Sequence, residues 1–237
     1  MKRLFLITLL GGMTTALVAQ PTRNIGGTLS ANLSLSKDTC YILTSSLVVP
    51  STYSLNIEAG TKILCDAQTS VVIERGAQIQ AAGTALLPIV FTSSKVAGTR
   101  AAGDWGGLLI NGFAANNIVD GGGGIYNISR VGANRAGGGT PIANTDNSGT
   151  MTYVRIEFAG GGAVGETEVH GLVLNSTGSQ TTMNHIQISE SGQDGLKMIG
   201  GRTDLKEVYV LDARGKGLNL AYGNLSKMQR KKIQQKD

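Results

Sequence analysis

A phrase is spoken twice near the start of this chain, and it constrains the fold more than any other feature. Leu55-Asn56-Ile57-Glu58-Ala59-Gly60-Thr61-Lys62-Ile63 is echoed by Val72-Ile73-Glu74-Arg75-Gly76-Ala77-Gln78-Ile79, with Ile57 and Ile73, Glu58 and Glu74, Gly60 and Gly76, and Ile63 and Ile79 each 16 residues apart. Ile89-Val90-Phe91 falls a further 16 on. Such a unit cannot bury its apolar side alone, so it must stack on copies of itself, as in a solenoid. The units alternate apolar and polar residues, favour Ile and Val, and end at Gly, which marks strands joined by bends. No helical pattern supplies the crossover that an ordinary parallel sheet needs. The reading is therefore all-β, a parallel β-helix, in which Ile57, Ile73 and Ile89 lie above one another and point inward.

Further along, the register lengthens. Val154-Arg155-Ile156-Glu157, Ile186-Gln187-Ile188-Ser189 and Val208-Tyr209-Val210-Leu211 form one strand family, and Gly171-Leu172-Val173-Leu174, Gly195-Leu196-Lys197-Met198 and Gly217-Leu218-Asn219-Leu220 a second. Both advance by 22 residues over their last step, which implies regular stacking. Residues at i and i+2 share a face, so Val154, Ile156 and Phe158 are expected inward, and Arg155 and Glu157 outward. Residues 113–149 interrupt the pattern with Gly121–Gly124, Gly137–Gly139 and several Asn, a loop insertion expected on the surface with little order.

The two ends differ from the body. Met1-Lys2-Arg3, then an apolar stretch from Leu4 to Val18 and Ala19-Gln20, reads as a secretory signal peptide over 1–19. It is too short for a membrane anchor, and no Cys stands at the cleavage point, which argues against a lipid anchor. The expected organisation is a lead-in over 20–39, the β-helix over 40–223 with the insertion at 113–149, and a basic tail over 224–237, in a secreted or outer cell-surface protein with no membrane span after signal removal. The formal net charge is +5, but the signal peptide and the tail hold the excess, so the body lacks a nucleic-acid footprint. Cys40 and Cys65 either bridge neighbouring coils or sit reduced in the stack.

Taken together, Ile57-Glu58-Ala59-Gly60-Thr61, Ile73-Glu74-Arg75-Gly76-Ala77, Pro88-Ile89-Val90-Phe91-Thr92-Ser93, Gly103-Asp104-Trp105-Gly106-Gly107 and the run from Asn147 to Gly160 resemble a family of secreted right-handed β-helix proteins of the Bacteroidetes with a pectin-lyase-like solenoid. The resemblance covers about residues 40–223. It implies a right-handed coil and an exported surface protein, often with a type IX secretion sorting domain, and assigns no reaction. The chain departs from the pattern twice: Asp212-Ala213-Arg214-Gly215-Lys216-Gly217 stands where the family usually carries an acidic cluster, and no sorting domain follows Gly223, as expected of a truncated member.

The candidate site residues are few. Trp105, between glycines, reads as packing its turn, with a sugar-stacking platform as the alternative. Glu190 and Asp212 are 22 residues apart, as are Asp194 and Lys216, so each pair should stack one coil apart, about 4.8 Å. Arg214 and Lys216 are at hand to neutralise the carboxylates, which reads as a charged ladder in preference to a Ca²⁺ site. Glu166, Glu168 and His170 have no regular metal-ligand spacing, and His185 reads as a strand-edge residue. Asn144-Thr145-Asp146 matches one fragment of a polygalacturonase-like pattern but lies in the insertion. No cofactor and no complete catalytic set are visible. The expectation is a non-enzymatic surface solenoid, with polysaccharide or a cell-surface glycan as partner; the alternative is a carbohydrate-active lyase or hydrolase.

Overall fold

The structure is a computed structural model, and it describes residues 20–118, 126–127, 136–139, 141–162 and 169–235. The residues read as a signal peptide, and Glu166 and Glu168, lie outside that set. The strands run in order β1 (Thr22–Thr28), β2 (Leu33–Leu35), β3 (Cys40–Val49), β4 (Ser54–Ile57), β5 (Lys62–Cys65), β6 (Ser70–Ile73), β7 (Gln78–Ala82), β8 (Ile89–Ser93), β9 (Gly107–Asn111), β10 (Tyr126–Asn127), β11 (Ala136–Gly137), β12 (Gly149–Glu157), β13 (Leu172–Asn175), β14 (Thr182–Ser189), β15 (Leu196–Ile199), β16 (Leu205–Leu211), β17 (Leu218–Ala221) and β18 (Met228–Gln234). All but β10 and β11, which form an antiparallel pair, join one parallel sheet that winds as a right-handed β-helix.

Each coil has three faces. One stacks Leu47, Val71, Leu108, Leu172, Leu196 and Leu218. A second stacks Tyr41, Ile63, Phe91, Ile156, Ile188, Val210 and Ile233. The third stacks Leu35, Ile57, Ala81, Met151, Met183, Leu205 and Met228. These columns form the interior, nearly all of it buried. A coil therefore takes about one and a half of the 16-residue phrases, as the step of 22 from Leu35 to Ile57 shows.

This corrects the stacking expected from the repeat. Ile57, Ile73 and Ile89 all point inward, but they stand on three different faces: Ile57 over Leu35, Ile73 over Val49 and Ile89 under Val154. Every bend of the early coils ends in a similar apolar–polar–Gly phrase, so 16 residues measures two bends and not one turn of the coil. The boundaries also move outward. β1 pairs with β3 and β18 with β16, so stretches read as lead-in and tail are themselves coil.

The first face is buried on both sides. Outward-pointing Val72, Leu109, Val173 and Ile199 form a second apolar cluster with Ile118 against it. The chain leaves β9 at Gly112 and runs along the solenoid axis, because successive contacts climb the coils: the Ala114 amide donates to the Ser176 carbonyl, the Gly201 amide to Ala115, and the Asn117 amide to Tyr222. Arg75 pins the same region, lying over the Phe113 ring at 5.3 Å and donating to the Gly138 carbonyl at 2.6 Å. The described ends of the 113–149 insertion are thus strapped onto the sheet, contrary to the loose loop expected.

The corners of the later coils are turned by left-handed residues in three columns: Tyr153, His185, Glu207 and Arg230; Phe158, Glu190 and Asp212; and Ser176, Gly200 and Tyr222, all with φ between 49° and 59°, Gly200 and Tyr222 each being followed by a second left-handed residue, Gly201 and Gly223. One such residue redirects the strand while the ladder continues, as in the amides of Phe158, Glu190 and Asp212 donating to Ser189, Leu211 and Gln234. Phe158 is consequently half-buried at a corner and not the inward residue expected, whereas Val154 and Ile156 point in and Arg155 is exposed.

Cys40 and Cys65 are both free thiols. Cys40 pairs with Lys62 and Cys65 with Leu43, which separates them by three residues, about 10 Å along the strands, and puts them on opposite faces. Burial pushes the Cys65 thiol well up.

Candidate functional site

Trp105 is wholly buried, stacked beside Phe91 with ring centroids 6.4 Å apart, and its indole N–H donates to the Glu157 carbonyl at 2.8 Å. No face is open to a sugar, so it is withdrawn as a ligand platform. Beside it, Asp104 accepts from the Ser93 hydroxyl at 2.6 Å, from Lys95 Nζ at 2.7 Å and from the Ala101 amide at 3.0 Å. Burial opposes ionisation of this carboxyl, but its hydrogen bonds and the Lys95 charge outweigh that and hold it below the ordinary value. A carboxyl lowered on folding contributes stability above its unfolded value, about 3.9, that is lost as the pH falls through the lower folded value. Asp104→Asn is expected to destabilise the protein by about 1–3 kcal/mol at neutral pH, with the gap to wild type closing in urea titrations below about pH 4.

The acidic pairs stack in the expected register but make different contacts. Glu190 and Asp212 occupy one corner column and line an open depression of about 460 Å³ with Arg214 and Gln235. Asp194 meets Lys216 through the backbone: its carboxylate accepts from the Lys216 amide at 2.7 Å and from Asn219 Nδ2 at 2.7 Å, while the Lys216 side chain is exposed. His170 Nδ1 accepts from the Asp194 amide at 3.2 Å. Asp194 is therefore a turn-holding residue, and the expected opposite-charge contact with the Lys216 ammonium is not made. Among the described residues no group of three or more His, Cys, Asp and Glu is placed to hold a metal ion. Asp146 is taken up by a hydrogen bond from the Ser148 hydroxyl at 2.9 Å, and burial raises its pKa.

A different surface gathers recognition chemistry. On the outer side of the second face, Arg155, Gln187, Tyr209 and Lys232 stand in one column. Beside it runs the corner column, where the Tyr153 and His185 rings stack 4.1 Å apart at 18°. Between the two columns lies a groove of about 160 Å³, floored by the backbone at Val154 and Ile186, whose side chains point inward, and bordered by Ala85 and Pro88. It follows the solenoid axis across four coils, about 14 Å at the spacing of neighbouring strands. Tyr209 is 39% exposed, and its hydroxyl donates to Glu207 at 3.1 Å; Arg230 Nε holds the other oxygen of that carboxylate at 2.7 Å. The Glu207 hydrogen bond raises the Tyr209 pKa and fixes the ring. His185 Nδ1 is buried there without a hydrogen-bond partner. Sequence reasoning placed Arg155 outward but left His185 as a strand edge. The groove was missed because its two columns only meet once the non-glycine corners are known.

Residues 27–236 match the pectate-lyase-like beta helix domain, and the chain belongs to that family. No curated protein matches it. A solved structure similar to it is that of the Dettilon tailspike protein gp208, at 11% identity and a TM-score of 0.20, covering 83% of this chain. The chain spans 39% of the tailspike chain's length.

Proposed function

We propose that the protein is an exported or cell-surface β-helix that binds glycan along the Tyr153–Tyr209 groove without cleaving it. The observation that carries this is the groove itself: it runs along the coil axis, offers aromatic edges, an amide and a guanidinium at coil spacing, and a carboxylate beside it, Glu207, is held by Tyr209 and Arg230. No carboxylate lines the groove, so a hydrolysis that needs a pair of them lacks it there, and His185 is engaged as a ring stacked on Tyr153. The export reading rests on the basic and apolar run at residues 2–18, and the Bacteroidetes surface-protein resemblance supports it.

The second reading, a carbohydrate-active enzyme, draws on Glu190 and Asp212 stacked beside Arg214 around the other depression. A glycan array on the wild-type protein and on Tyr209→Ala separates the two. Binding is expected, with about a tenfold loss in the variant, the worth of one aromatic contact. Release of reducing or unsaturated ends that disappears in Glu190→Gln, with array binding unaffected by Tyr209→Ala, would replace the binding reading with the enzymatic one.

A further inference from the structure

The outward column that borders the groove carries cations and no carboxylate. Neighbouring strands put Lys62, Val90, Arg155, Gln187, Tyr209 and Lys232 on successive rungs, about 24 Å from end to end at about 4.8 Å per rung. Lys62 and Arg155 are separated by one uncharged rung, and Arg155 and Lys232 by two. All of these cations are exposed, and among the described residues no hydrogen bond or ion pair engages them. Elsewhere on the coil Lys37, Lys95 and Arg230 each hold a carboxylate oxygen at 2.7 Å, of Glu58, Asp104 and Glu207. Carboxylates flank the column without entering it. Glu207 is shared between Tyr209 and Arg230, and Glu157 stands in the next outward column, with Ser189 and Leu211.

We infer that the glycan taken by the groove is acidic but sparsely so, with an anion on about every second sugar, as in an alternating copolymer of uronate and amino sugar. This rests on the glycan reading of the groove given above. An extended pyranose chain along the coil axis advances by close to one rung per sugar, so the ligand's charge pattern is read against that of the column. Free Lys and Arg gain little from neutral hydroxyls that water does not already give them. Their bonds to a carboxylate are the stronger, charge-assisted kind, and Arg155 can make two at once. A carboxylate on every sugar fits poorly: those opposite Val90 and the Tyr209 ring give up water with no cation to meet them, and Glu157 repels them from the side. Uncharged rungs suit uncharged sugars, Gln187 through its amide and Tyr209 by stacking under a ring face.

The test is titration calorimetry of the full chain with hexasaccharides of graded charge: hyaluronan, with a carboxylate on alternate sugars, polygalacturonate, with one on each, and cellohexaose, with none. The hyaluronan hexamer is expected to bind tightest, and to weaken as salt screens the cations. Arg155→Gln should lower its affinity about tenfold, the worth of one hydrogen bond to a charged group. Arg155→Lys should fall between the two, and Lys62→Gln should cost a few fold, as for an exposed ion pair. Both side chains are exposed and unpartnered, so unchanged melting midpoints will show that the variants fold. Polygalacturonate binding as tightly as hyaluronan, or a hyaluronan affinity untouched by Arg155→Gln, overturns the charge assignment. Cellohexaose binding tightest, and lost in Tyr209→Ala, also overturns it but leaves the glycan groove standing. Binding of none of the hexamers overturns groove and charge assignment together.

Discussion

Trp105→Ala is expected to lower the unfolding free energy by about 3–5 kcal/mol, the range for deleting a fully buried aromatic from a core that cannot collapse around the gap. The side chain sits between the bend at Gly103 and the Phe91 column, and Phe91 is itself covered by Ile156 on the next coil. Those neighbours are fixed by parallel ladders on both sides, so they cannot move in to fill the space. The lost indole N–H also leaves the Glu157 carbonyl without its 2.8 Å donor, a further cost within that range. Trp105→Phe should recover part of the loss by keeping a ring beside Phe91. Urea denaturation reads both variants. If the midpoint of Trp105→Ala matched wild type while glycan binding vanished, the indole would be a ligand platform after all and its burial here would be wrong.

Much of this molecule was legible in its sequence, and the parts that were not share a cause. Alternation of Ile and Val with polar residues and the 22-residue steps from Ile186 to Val208 and Leu196 to Leu218 fixed strand type and late register, because each inward side chain must meet its copy one coil away. The 16-residue echo misled because bends repeat more often than coils do. The single left-handed corners at Tyr153, His185, Glu207 and Arg230 were invisible, since residues of these types at φ near 50° carry no glycine to announce them. Those same corners bring Tyr153 and His185 into contact and border the groove, so missing them meant missing the site. One signal went unread: Leu108-Leu109-Ile110 and Leu172-Val173-Leu174 are apolar at successive positions, which a strand with one wet face would not be. They mark the face that the strap from Gly112 to Ile118 covers.

Close approach of neighbouring coils yields the other large effect, at Gly107, the first residue of β9. Its φ is +108°, and a Cβ built there would lie 2.2 Å from the His170 carbonyl oxygen and 2.7 Å from that of Gly171. Both obstacles are backbone, and the Leu108 amide donates to Gly171, so neither coil can retreat without breaking the ladder between β9 and β13. Gly107→Ala therefore combines an unfavourable backbone conformation, about 1–3 kcal/mol, with an overpacking cost of similar size. A total of about 2–6 kcal/mol would unfold a marginal domain outright. Gly98→Ala provides the control, because Gly98 also has a positive φ, +89°, but open space where the Cβ would go. It should lose the conformational part alone. Thermal melting of the two variants side by side separates strain from clash: the Gly107 variant must fall well below the Gly98 variant. Equal midpoints would mean that β9 and β13 are not pressed together at Gly107, and the stacking of Leu108 on Leu172 would have to be redrawn.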